Sequence, residues 1–85
     1  MEIFRTETFK RQYKRLPPQI QEVCHKKLGF LLKDFRYPSL RAKKVKGHID
    51  IWEASLTMNY RFTFQIEEDV LILRKVGTYD ILQNP

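Results

Sequence analysis

The chain has 85 residues, enough for one domain spanning 1–85 and too few for two. An apolar fraction of 42% with 13% aromatics excludes global disorder, and the single Cys24 excludes an internal disulfide and a cysteine metal cluster, as suits a reducing cytoplasm. The net charge of +6 is uneven: residues 1–48 carry thirteen Lys or Arg against four acids, and residues 49–85 three against six.

Such asymmetry suits a polyanionic partner, and equally a merely basic soluble protein. The opening residues show no signal-peptide pattern and no apolar run reaches membrane-spanning length, so the expected location is cytoplasmic.

Ile3 and Phe4 open the chain as a short strand. Thr6 or Thr8 then caps a helix whose apolar stripe is Phe9, Tyr13 and Leu16, flanked by Lys10, Arg11, Lys14 and Arg15. Pro17 ends it, and Pro18 suits the first turn of the next helix because its missing N–H has no partner there anyway. Ile20, Val23, Cys24, Leu28, Leu31, Leu32 and Phe35 repeat at helical spacing to about Asp34. Tyr37, Pro38 and Ser39 break the pattern, and the basic run from Arg41 to Lys46 reads as an irregular or weakly extended connection to Gly47.

Beyond Gly47 the period falls to 2. Trp52, Ala54 and Leu56 share one strand face; after a turn at Met58 and Asn59, Tyr60, Phe62, Phe64 and Ile66 alternate with Arg61, Thr63 and Gln65. Glu67, Glu68 and Asp69 form an acidic turn. The segment from Val70 to Val76 is apolar on both faces except at Arg74 and Lys75, as expected of a central strand. Gly77 and Thr78 close it, and Tyr79 begins a short tail that Ile81 and Leu82 anchor. The expected fold is α+β in the order β-α-α-β-β-β: an antiparallel-rich sheet with both N-terminal helices packed on one face and a shallow cleft on the other.

Charged side chains on central strands need a reason. Arg61, with either Arg74 or Lys75, is the candidate set for the open face; strict alternation allows one of the latter two, and Arg74 is preferred. Arg61 has a structural alternative as the partner of Glu53 or Asp50. Arg41, Lys43, Lys44 and Lys46 form a charge run suited to a nucleic-acid backbone, against the alternative of a solvated loop. His48 has the side chain of a general base and the position of a surface histidine. The aromatic row from Trp52 to Phe64 reads as core, and His25, His48 and Cys24 do not make a metal site.

The run from Phe9 through YKRLPP, the segment YPSLRAKKVKG, the strands of IWEASLTMNYRFTF and the ending LILRKVGTYDILQNP together resemble the RelE/ParE superfamily of small toxins from toxin–antitoxin pairs, closest to its RelE/YafQ-like branch. The resemblance implies a ribosome-dependent endoribonuclease that cleaves messenger RNA in the A site by 2′-hydroxyl attack, without metal or cofactor. It implies a cognate antitoxin, ribosome and messenger as partners. It assigns phosphate binding and charge neutralisation to Arg61 and to Arg74 or Lys75, backbone contact to Lys43, Lys44 and Lys46, and proton transfer to Tyr79. The relatives carry histidine where Tyr79 stands, in a GTHD motif. Imidazole exchanges protons near neutral pH, whereas a phenol does so only where adjacent positive charge favours the phenolate, a task for Arg61 with Arg74 or Lys75. The alternatives are a ParE-like inhibitor of DNA gyrase without nuclease activity, and an RNA-binding relative that has lost its chemistry.

Overall fold

The structure, a computed structural model, describes residues 2–85. Strand β1 (Glu2–Arg5) runs into Thr6, whose hydroxyl accepts the Phe9 N–H at 3.1 Å and caps helix α1 (Glu7–Lys14). Helix α2 (Pro18–Lys33) follows with proline in its first turn. The two helices are clamped across the Pro17–Pro18 turn: the Tyr13 hydroxyl donates to the Gln21 carbonyl, and the Gln21 amide donates back to the Tyr13 carbonyl at 2.9 Å. A short 3-10 turn over Pro38–Leu40 buries Leu40 and ends at Arg41, which holds a left-handed backbone with φ of 49°.

Five strands form one sheet in the order β1-β5-β4-β3-β2, where β2 is Lys43–Lys44, β3 Trp52–Ser55, β4 Arg61–Glu67 and β5 Val70–Gly77. The β1–β5 pair is parallel and the others antiparallel, which makes the expected α+β architecture. The basic connection, expected as irregular or weakly extended, contributes the two-residue strand β2. Two exposed lysines make a short edge strand, the form that resists further pairing by other chains.

Phe9, Cys24, Leu28 and Leu31 from the helices, with Leu16 from the turn between them, close over Ala54, Phe62, Phe64, Leu71, Leu73 and Val76 of the sheet, so the aromatic alternation in β4 does mark the core face. Among the described residues, no helix is long and apolar enough to cross a membrane.

Two features depart from simple alternation. The β4–β5 register pairs Thr63 with Lys75 but Phe64 with Leu73, so Arg74 is the extra residue of a bulge. On the far edge β1 ends opposite Leu73, leaving the next backbone groups of β5 without a strand partner. Helix α1 and its cap supply it: the Thr6 hydroxyl donates to the Arg74 carbonyl at 2.9 Å, and Gln12 Oε1, from the last turn, accepts the Val76 N–H at 2.9 Å. The second feature is the tail, a 3-10 turn over Tyr79–Gln83 followed by Asn84 and Pro85. It lies over the centre of the sheet face that the helices leave uncovered, burying Ile81 and Pro85, so the shallow cleft expected there is filled in its middle.

Candidate active site

Arg61 opens β4 and projects from the helix-free face, as alternation requires of the residue before Phe62. One of its terminal nitrogens, Nη1, donates to Glu53 Oε1 at 3.0 Å across β3, and the other, Nη2, donates to the Tyr79 hydroxyl at 3.0 Å. The guanidinium carbon lies 4.7 Å from the Tyr79 ring centroid, so Arg61 holds the phenol by both a hydrogen bond and a cation–π contact. The Arg61 and Glu53 side chains are 13% and 7% exposed, whereas Tyr79 is 49% exposed. A desolvated ion pair thus fixes one side of a tyrosine whose other side meets solvent. Arg61 Nε is buried without a hydrogen-bond partner among the described residues.

The bulge turns both neighbouring cations of β5 toward the tail. Arg74 donates through Nε to the Pro85 carbonyl at 3.1 Å and through Nη1 to Gln65 Oε1; Lys75 donates to the Asn84 carbonyl. Thr63 adds a bond from its hydroxyl to Pro85 at 3.3 Å. Strict alternation leaves room for one of Arg74 and Lys75 on this face. The inserted residue breaks the period, and both are spent on backbone carbonyls of the tail that carries Tyr79.

At the β3–β4 turn an open groove of about 470 Å³ is lined by Lys27, Ser39, Arg41, Met58, Arg61 and Tyr79 among others. Lys27 reaches it from α2, donating to the Ser39 carbonyl at 3.0 Å and the Ser55 carbonyl at 3.1 Å. Burial, and secondarily the nearby Arg41 charge, lowers its pKa from the ordinary lysine value.

The basic run is divided rather than gathered. The register lines up Lys43, Glu53, Thr63 and Lys75 across four neighbouring strands on the helix-free face. Lys44 points the other way, with its ammonium 5.4 Å from the Trp52 ring centroid. Lys46 is exposed beside Gly47 (φ 85°) in the β2–β3 turn, and His48 is exposed in the same turn, its N–H bonded to Val45. That turn opens toward Gln65 and Glu67, at the opposite end of β3 from Arg61 and Tyr79. The structure therefore brings Arg41, Arg61 and Tyr79 together, sets Arg74 and Lys75 behind the tail, and leaves Lys44, Lys46 and His48 apart.

Sequence reasoning does not single out Lys27. Its signal lies in the spacing: position 27 falls three residues after Cys24 and four before Leu31, on the apolar stripe of α2, where a charge is out of pattern. Glu53 enters that reasoning only as one of two partners for Arg61; it is the buried member of the pair.

No protein-family model and no curated protein sequence matches the chain. Solved structures do. A YoeB/ParE toxin from Agrobacterium tumefaciens superposes with a TM-score of 0.81 at 14% identity, over 93% of this chain and 99% of that one. YafQ from E. coli BL21(DE3) gives 0.80 at 12% identity, over 95% and 96%. The toxin–antitoxin complex RelBE of E. coli gives 0.74 at 22% identity, over 91% and 94%. The chain has the RelE/ParE/YoeB toxin fold across nearly its whole length.

Proposed function

We propose that this protein is the toxin of a toxin–antitoxin pair and cleaves messenger RNA on the ribosome by attack of a 2′-hydroxyl on the adjacent phosphorus. The observation that carries the reading is the Arg61–Tyr79 pair at the edge of a basic groove. In the reaction the 2′-oxygen forms a bond to phosphorus, the bond to the 5′-oxygen breaks, the 2′-hydroxyl proton passes to solvent water, and the 5′-oxygen takes up a proton. Because the Tyr79 oxygen accepts from Arg61 Nη2, its own O–H is available to donate, which suits it to protonate the departing 5′-oxygen. Arg61 orients the ring and adds positive charge beside the developing anion, tempered by Glu53. The antitoxin is the expected partner, and the fold shared with the RelBE complex supports that expectation.

The test is primer extension on messenger bound to translating ribosomes, with and without protein. The expected outcome is cuts within the A-site codon, slowed by about 10²-fold or more in Tyr79→Phe, the usual scale of losing a positioned proton donor. Uncut messenger under conditions where the folded protein is bound would overturn the nuclease reading. It would favour the second, an RNA-binding relative without chemistry, for which the engagement of Arg61 by Glu53 and of Arg74 and Lys75 by the tail also speaks. A DNA supercoiling assay tests gyrase inhibition separately.

A further inference from the structure

The charges nominated for phosphate binding on the sheet are largely committed: Arg61 to Glu53 and Tyr79, Arg74 to Gln65 and Pro85, Lys75 to Asn84. The groove holds two further cations that make no ion pair among the described residues. Lys27, from α2, uses two of its three N–H groups on the Ser39 and Ser55 carbonyls, which lock the ammonium between helix, 3-10 turn and sheet with one donor left over. Arg41 follows the 3-10 turn in a left-handed backbone, a conformation unfavourable for a non-glycine residue, and lines the same groove with its side chain making no ion pair among the described residues. The groups that line this space are Lys27, Ser39, Arg41, Ser55, Thr57, Arg61 and Tyr79 with apolar neighbours; none is a carboxylate. Two like charges held at one concavity are mutually unfavourable until an anion lies between them.

We propose that Lys27 and Arg41 form the phosphate anchor of the groove, gripping one backbone phosphate of a single-stranded RNA beside Tyr79. This rests on the reading of the chain as an RNA-directed protein and gives that reading a residue from the helix layer. Occupation of the anchor draws the strand along the groove past the exposed side of Tyr79, while Arg61 holds the ring from behind. Burial first and the Arg41 charge second lower the ammonium pKa of Lys27, and an anion placed between the two cations would offset both. A purely structural Lys27, one that only ties two carbonyls together, predicts lower stability on substitution and unchanged RNA affinity of the folded protein.

The probe is a five-nucleotide RNA carrying 2′-O-methyl groups throughout, which lacks the attacking hydroxyl and stays intact. Its binding is followed by fluorescence anisotropy across a salt series. Lys27→Gln and Arg41→Gln should each weaken binding about 10-fold, the scale of one charge-assisted hydrogen bond, and flatten the salt slope, by roughly 0.7 in all for the one phosphate when both are replaced. Lys27→Arg, which keeps charge and donors, should restore most of the affinity, and Lys10→Gln on the far helix should change it little. If Lys27→Gln does not fold, Arg41→Gln decides alone, because the exposed Arg41 side chain makes no hydrogen bond among the described residues whose loss could unfold the chain. Native affinity and slope in a folded Lys27→Gln or in Arg41→Gln overturns the anchor. A protein that binds this probe through both residues yet never cuts messenger keeps the anchor and loses only the nuclease reading.

Discussion

Arg61 shows how a residue reads differently once its neighbours are known. Period 2 in YRFTFQI places it opposite the core aromatics, and that much is legible in the sequence. Its acid partner is legible only as one of two, Glu53 or Asp50, because the choice depends on a diagonal contact to another strand; the structure shows Glu53. A pair this deeply desolvated costs much to hold and more to break: Arg61→Met or Glu53→Leu alone should each destabilise by about 3 kcal/mol, because a buried charge is left without its counter-ion. The double variant should recover most of that loss. Urea denaturation of the four proteins checks it, and strictly additive losses would show that the two side chains do not act as a unit. Since Arg61→Met removes both the pair and the hold on Tyr79, the double variant also separates folding from activity.

At the scale of elements, α1, α2, β3, β4 and β5 follow from apolar spacing, and Pro17–Pro18 and the acidic turn mark their breaks. Three things escape such reasoning. The strand β2 exists only because an edge of β3 is open to receive Lys43 and Lys44; the β5 bulge depends on register with β4; and the tail's docking depends on a face whose side chains come from three strands. Ile81 holds that tail, packing over Gly77, where an added methyl would lie 3.2 Å from Ile81 Cγ2. Ile81→Ala should cost about 2 kcal/mol. In hydrogen exchange the amides of Ile81 and Asn84 should lose more than about 10-fold of protection while that of Phe62 in β4 keeps its own. Equal protection before and after would mean that the tail is held by its carbonyl contacts alone.

For the molecule as a whole, the excess of positive charge sits in the first half of the chain, yet the candidate site draws on both halves: Lys27 and Arg41 from one, Arg61 and Tyr79 from the other. The core that joins them contains Cys24, wholly buried, and burial pushes its thiol from the ordinary 9.0 up to about 11. Raised in the folded state, this group stabilises fully below pH 9, and its contribution of about 2–3 kcal/mol fades as pH rises toward 11, because the unfolded chain loses the proton first. Tyr13, also raised by burial, acts in the same sense at higher pH, whereas Lys27, lowered, acts in the opposite one. Denaturation midpoints of the native protein and of Cys24→Ala should therefore converge between pH 9 and 11; a constant gap across that range would rule the thiol out as the cause. One hydroxyl ties these parts together in time as well as in space. Thr6 caps α1 by accepting the Phe9 N–H and, with the same hydroxyl, donates to the bulge carbonyl 68 residues later, so one side chain serves both the helix end and β5. Closing so long a loop costs more chain entropy than that single contact returns, so the Thr6–Arg74 bond forms with the sheet and not ahead of it.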